Sequence, residues 1–233
     1  TTEQRDAIMK AAGAESNAYT TDDRTVYHAL FSVQDLDEIM KLEADRFQRL
    51  KYSEADYKTE ALAVLGEYNK NSANPINKLW EVLRERSFTT HTYKHTTMGF
   101  IQDIVDMPNQ YEYSLEFYDR YYRPEYTVVT LVGDITQEKA LELTQKYFGS
   151  WERGEYIPKI PSEPEQKGTR TAIIDWPSPT LPYVVVAHHR PAYSDRRKDK
   201  AAHDFLVPIA FGENSDLYQK LVLKEQKADM LAV

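Results

Sequence analysis

Two glutamates on one predicted helix are the residues of this sequence best suited to acid–base or metal chemistry. Glu60 and Glu67 are seven positions apart within residues 53–71. On an α-helix this spacing is almost two turns, so both carboxylates project from one face, about 10 Å apart along the axis. Only Ala63 and Val64 lie between them on that face. The pattern fits either a helix edge that meets solvent or an acidic face directed at a metal ion or a proton.

Local signals predict the helix that carries the two glutamates. Ser53 occupies the N-cap position, and Asp56 follows three residues later, as in a capping box. No proline interrupts the segment before the asparagine-rich residues 69–74. We therefore expect one continuous amphipathic helix over residues 53–71.

Composition excludes several classes of protein. The 233 residues are 41% hydrophobic, 12% aromatic and 28% charged, which is typical of a globular protein with a substantial core. The chain has no cysteine, so disulfide scaffolds, thiolate zinc sites and cysteine nucleophiles are excluded. A net charge of −8 argues against a nucleic-acid partner. No apolar run approaches the length of a membrane span, and the first residue is Thr1 rather than Met, so a segment can precede it.

A β-hairpin is predicted ahead of the acidic helix. Residues 14–21 and 24–31 have strand composition, and Asp22 and Asp23 form a polar turn between them. Periodicity and capping signals predict further helices at residues 2–12, 34–49, 75–87, 102–108, 109–122 and 137–148.

The second half of the chain alternates between strand-like and helical patterns. Strands are expected at residues 126–132, 169–176 and 183–189, and helices at 194–211 and 216–227. Three prolines mark residues 151–168 as the best linker candidate. We predict an α+β fold in which helices pack on one face of a mostly antiparallel sheet.

Histidines offer only a weak metal signal. His91 and His95 have the i, i+4 spacing of a ligand pair on a helix, but the surrounding threonines and Gly99 indicate a loop. The sequence contains no glycine-rich phosphate loop and no Gly-x-Ser-x-Gly turn.

Taken in order, the segments resemble the insulinase/pitrilysin-type zinc metallopeptidases, the inverted-zincin group. The resemblance covers nearly the whole chain, and its strength lies in the order of the motifs. The matching segments are Gly13-Ala14, Asn17 to Thr20, Thr25 to His28, Glu60 and Glu67, Asn74-Pro75, Tyr93, Gly99, Phe117 to Pro124, Val132 to Ile135, Phe148-Gly149, and Asn214 to Val222.

The resemblance implies a role for each candidate residue. Glu67 is similar to the family's third zinc ligand, and Glu60 is similar to its second acid, which supports the site without binding the metal. The strand with Asn17, Ala18 and Tyr19 resembles the edge on which a peptide substrate adds as an extra strand. Zn²⁺ would be the cofactor and a peptide the substrate.

The sequence departs from the family at one decisive point, because it contains no His-x-x-Glu-His motif. Counting back from Glu67 by the family's spacing places that motif shortly before Thr1. We therefore expect a fragment of a zinc-dependent endopeptidase that hydrolyses peptides by metal-activated water. The isolated chain should hold zinc poorly and lack activity.

The resemblance also implies what surrounds this chain in the intact protein. We expect a second homologous half or subunit, hence a dimer or pseudo-dimer, and a bacterial periplasm or cell-envelope location. Residues 1–233 would form one incomplete metallopeptidase domain, with a core at 1–150, a linker at about 151–168 and C-terminal strands and helices at 169–233. Two alternatives stay open: a non-catalytic structural or partner subunit of the same fold, and an unrelated α+β binding module.

Overall fold

The computed structural model describes residues 2–232 and the side chains of residues 4–232. It is helix-rich, with one two-stranded antiparallel sheet among the described residues. The chain divides into two compact units, Thr1–Tyr183 and Val184–Val233. The predicted α+β class with an antiparallel sheet is confirmed, although the sheet is smaller than the sequence patterns indicate.

The first unit begins with a helix and the predicted hairpin. Helix α1, Thr2–Ala11, ends before Gly13, whose φ of 57° lies in the left-handed region that favours glycine. Strands β1, Glu15–Thr20, and β2, Thr25–Leu30, pair so that Thr20 faces Thr25 and Glu15 faces Leu30.

Six further helices follow the hairpin within the first unit. Each agrees with a predicted helix to within a few residues at its ends. They are α2, Leu36–Arg49; α3, Glu54–Ser72; α4, Pro75–Ser87; α5, Ile101–Asp106; α6, Tyr111–Tyr121; and α7, Gln137–Phe148.

The core of this unit lies where the helices meet. Its buried apolar side chains come from α1, α2, α3, α5 and α7, and they are Met9, Ile39, Met40, Ala44, Ala61, Ile104 and Leu143. An aromatic cluster adds to it, in which the Tyr27 ring packs edge-on against Phe47 and the Tyr122 ring lies close to both. The Tyr118 hydroxyl donates to the carbonyl oxygen of Phe47 at 2.7 Å, so α6 is tied to the C-terminal end of α2.

The strand predicted at residues 126–132 is not formed as a paired strand. Thr127 has extended backbone angles, but the only described sheet consists of β1 and β2. Val128 and Val132 are 88% and 93% exposed. Strand formation needs a neighbour to complete its backbone hydrogen bonds, and none is present beside this segment within residues 2–232.

An open apolar cavity separates this extended segment from β2. Its volume is about 1360 Å³, and its lining includes β2, residues 126–135 and the α2 side chains Ile39 and Met40. We call this space the sheet-edge slot. It lies between β2 and the extended segment.

The strands predicted at 169–176 and 183–189 are also absent from the described secondary structure. Their β-branched residues favour extended backbone, but extended backbone without a ladder partner does not make a sheet. In the second unit, α8 spans Asp199–Phe211 and α9 spans Asp216–Tyr218, continuing as a π-helix over Gln219–Lys224. The two helices predicted at 194–211 and 216–227 are therefore present. The first begins later than predicted, and the second ends earlier.

No described helix is long and apolar enough to cross a membrane.

Candidate functional site

Helix α3 presents both candidate glutamates to solvent. The Ser53 hydroxyl accepts a hydrogen bond from the Asp56 N–H at 3.1 Å, and the Asp56 carboxylate accepts one from the Ser53 N–H at 3.2 Å. This capping box begins the helix as the sequence predicts, and the Ser53 hydroxyl holds the pKa of Asp56 below its usual range. Ala61 is buried against the core, whereas Glu60 and Glu67 are exposed.

Neither glutamate has a side-chain partner among the described residues. Within residues 2–232 there is also no group of three or more His, Cys, Asp or Glu side chains placed to hold a metal ion. A catalytic zinc site needs three protein ligands and an open position. The Glu67 carboxylate therefore fits zinc as one oxygen ligand, and the described residues do not supply the other two.

The candidate substrate-binding strand is exposed along its whole length. All six residues of β1 are exposed, and Tyr19 is 48% exposed. One edge of β1 pairs with β2, and no strand of the described structure pairs with the other edge. The Ala18 N–H on this strand is satisfied by the Asn17 side-chain oxygen at 2.8 Å. Asn17, Ala18 and Tyr19 thus lie on an edge that an extended peptide can reach.

The turn of the hairpin is held by Arg84 on α4 and by Tyr93 in the loop that follows α4, and the sequence assigned neither residue a functional role. Arg84 in the last turn of α4 donates from Nη1 to Asp22 Oδ1 at 2.6 Å and from Nη2 to Asp22 Oδ2 at 2.9 Å. The Tyr93 hydroxyl donates to Asp23 Oδ1 at 2.6 Å. We call these four residues the turn clamp.

The loop that carries Tyr93 is itself anchored by a distant carboxylate. Glu163 accepts hydrogen bonds from the backbone N–H groups of Thr89, Thr90 and His91 at 2.7, 2.9 and 3.0 Å. Nothing in the local sequence marks this contact, because more than 70 residues separate its partners. The predicted loop at His91 is confirmed. The His91 Nδ1 atom accepts a hydrogen bond from the Tyr93 N–H at 3.1 Å.

Two family models match the chain in consecutive segments. Residues 2–100 match the model described as insulinase, peptidase family M16. Residues 110–232 match the model described as the peptidase M16 inactive domain.

Individual relatives give the same assignment. The chain is 31% identical to the zinc protease PqqE of Helicobacter pylori over 229 residues, covering 96% of this chain and 50% of that protein. It is 26% identical to the beta subunit of the Bos taurus mitochondrial-processing peptidase, covering 64% of this chain and 30% of that subunit.

Solved structures share the fold. The crystal structure of a protease from Helicobacter pylori matches with a TM-score of 0.77 and 28% identity, covering 97% of this chain and 55% of that one. The first half of the periplasmic protease PqqL from Escherichia coli matches with a TM-score of 0.54 and 20% identity, covering 64% of this chain and 33% of that one. The chain thus spans about half the length, or less, of the relatives it matches.

Proposed function

Because the chain belongs to peptidase family M16, the insulinase family, we propose that it is part of a zinc-dependent endopeptidase that hydrolyses peptides by metal-activated water. The observation that carries the proposal is the exposed, co-facial pair Glu60 and Glu67 on a well-capped helix. The zinc-protease name of the Helicobacter pylori relative supports the same reaction class.

Each candidate residue has a separate role in this proposal. The Glu67 carboxylate supplies one oxygen ligand to zinc. Glu60 lies about 10 Å further along the helix, too far to bind the same ion, and it supports the site by its charge. Zinc, when bound, lowers the pKa of a water molecule and polarises the scissile carbonyl.

The free edge of β1 binds the peptide. An extended substrate adds to the edge by backbone hydrogen bonds, with Asn17, Ala18 and Tyr19 beside it. This mode selects extended, unstructured peptides, because a folded segment cannot offer its backbone to a strand edge. The isolated 233-residue chain holds zinc weakly and lacks turnover, since one carboxylate does not make a zinc site.

The test uses the full-length protein and measures zinc per chain together with hydrolysis of an unstructured peptide. Glu67→Ala is expected to lose zinc and activity, and Glu60→Ala to keep part of the zinc but lose most activity. Glu54→Ala is the matched control, because Glu54 lies on the same helix and only pairs with Lys58. Full zinc occupancy in the Glu67→Ala protein would disprove the ligand assignment.

A second candidate is a non-catalytic structural or partner subunit of the same fold. The match of residues 110–232 to a domain described as inactive favours it. The two candidates differ in the segment that precedes Thr1 in the full-length protein. A His-x-x-Glu-His motif and bound zinc there indicate the peptidase, and the absence of both indicates the subunit.

The setting of the chain in the whole protein is part of the proposal. Residues 1–233 form one incomplete metallopeptidase domain with a linker at about 151–168, and a second homologous half or subunit completes a dimer or pseudo-dimer. The proposed location is a bacterial periplasm or cell envelope. Fractionation of the source cells tests the proposed location. The mass of the native protein in solution tests the proposed dimer or pseudo-dimer.

A further inference from the structure

The hairpin that offers the free β1 edge is fastened to the rest of the first unit at its turn. Asp22 and Asp23 are adjacent, so their like charges favour separation unless each carboxylate is engaged. Arg84 forms a bidentate ion pair with Asp22, and the Tyr93 hydroxyl, from the loop after α4, donates a hydrogen bond to Asp23. The Arg84 and Asp22 side chains are 30% and 29% exposed, so the pair is only partly shielded from water.

Helix α4, which carries Arg84 of the turn clamp, is linked by hydrogen bonds to α3, the helix of Glu60 and Glu67. The Tyr68 hydroxyl on α3 donates to Glu81 on α4 at 3.0 Å. The Asn77 side-chain amide on α4 donates to the carbonyl oxygen of Asn71 on α3 at 2.8 Å. Because Arg84 lies on the same helix as Glu81, contacts run without a break from the helix of Glu67 to the hairpin turn.

The second side of the clamp is braced by the loop that follows α4. Tyr93 packs its ring edge-on against Phe88 with 5.7 Å between centroids, and Glu163 fixes the backbone of residues 89–91. Two groups, one in the last turn of α4 and one in the loop after it, thus hold adjacent residues of one short turn. Such an arrangement restricts the orientation of the hairpin more than one surface ion pair does.

We propose that Arg84, Tyr93, Asp22 and Asp23 are positioning residues that fix the β1 edge relative to the helix bearing Glu67. The proposal rests on the proposed function, in which a peptide strand binds this edge. A clamped edge is ordered before the peptide arrives, so binding does not have to supply that ordering free energy. Loosening the clamp then weakens peptide binding and leaves the chemical step and the zinc unaffected.

The test compares variants of the full-length protein with an unstructured fluorogenic peptide as the probe. Arg84→Gln and Tyr93→Phe are each expected to raise KM roughly 3- to 10-fold, the range of one typical net hydrogen bond lost at a partly exposed site. The kcat and the zinc content are expected to stay at the level of the unaltered protein. Arg86→Gln is the control, because Arg86 lies in the same last turn of α4 and is exposed.

A charge reversal supplies the rescue arm. Asp22→Arg alone should raise KM, and the double variant Asp22→Arg with Arg84→Asp should lower it again. Recovery would show that the ion pair itself, rather than either side chain's packing, positions the hairpin.

Amide hydrogen exchange gives a readout that does not need activity. Asn17 and Tyr19 pair with His28 and Val26 in the register of the hairpin. Their amides should exchange several-fold faster in the clamp variants than in the unaltered protein, whereas Arg86→Gln should leave their exchange rates unchanged. If exchange rises but the unaltered protein cleaves no peptide, the clamp stands and the peptidase proposal fails.

Two results would overturn the positioning role. One is an active protein whose clamp variants change neither KM nor the exchange of Asn17 and Tyr19. The other is a rise in KM accompanied by a fall in both kcat and zinc content, which would mean that the variants destabilise the unit as a whole.

Discussion

The hydroxyl of Tyr68 on α3 donates a hydrogen bond to the carboxylate of Glu81 on α4, with 3.0 Å between the two oxygens. Glu81 also accepts from Lys78 at 2.6 Å, so the carboxylate is engaged from two sides. Burial and the Glu81 contact raise the pKa of Tyr68, which keeps the hydroxyl protonated as the donor. This contact joins the helix with the candidate glutamates to the helix with Arg84.

Removal of that hydroxyl gives the first prediction. Tyr68→Phe should lower the free energy of unfolding by about 0.5–1.5 kcal/mol, at the modest end because Lys78 still pairs with Glu81. Urea unfolding followed by circular dichroism measures the change. Tyr113→Phe is the control, since Tyr113 is 52% exposed. Equal losses in the two variants would contradict a specific role for the Tyr68 contact.

The core of α7 supplies a second prediction. Leu143 is 1% exposed and Leu141, two residues earlier, is 62% exposed. Leu143→Ala leaves a cavity in the packed layer and should cost about 2–5 kcal/mol of unfolding free energy. Leu141→Ala should change it by about 0.5 kcal/mol or less. A similar midpoint for both variants in urea would show that α7 does not pack as described.

The Glu163 carboxylate provides a prediction with a pH dependence. Desolvation opposes its ionisation, but the hydrogen bonds from His91, Thr90 and Thr89 outweigh desolvation and hold the pKa of Glu163 below its ordinary value of 4.5. A folded-state pKa below the unfolded one adds stability above about pH 4.5, and that stability is lost as the pH falls further.

Glu163→Gln should therefore lower the thermal midpoint at pH 7, and the gap to the unaltered chain should narrow as the pH falls below 4.5. Thermal unfolding from pH 7 to pH 3 measures both effects. Glu165→Gln is the matched control, because Glu165 is exposed on the same segment. A gap that does not depend on pH would rule out the ionised carboxylate as the anchor.

Sequence reasoning succeeded where the determining interactions are local. Ser53 with Asp56 and Asn74 with Pro75 mark helix starts within a few residues, and both helices begin where they indicate. The hairpin follows from β-branched and aromatic residues on either side of a two-aspartate turn. Likewise, the seven-residue spacing of the two glutamates fixes their common face once the helix forms.

Long-range contacts were beyond the same reasoning. Arg84 and Asp22 are 62 residues apart, and no periodicity relates them. Residues 126–132 have the composition of a buried strand, but composition does not state whether a neighbouring strand is available. The roles assigned to Glu60, Glu67 and the β1 residues stay predictions until zinc and peptide binding are measured.

The sheet-edge slot has a practical consequence for the polypeptide in a test tube. Unpaired backbone beside exposed valines can form strand pairs with any other extended chain, including a second copy of this protein. Concentrated samples of the isolated chain should therefore form oligomers through the strand edges that border the sheet-edge slot, whereas dilute samples should stay monomeric. Physical measurements of folding belong in the dilute regime, where light scattering shows a single species.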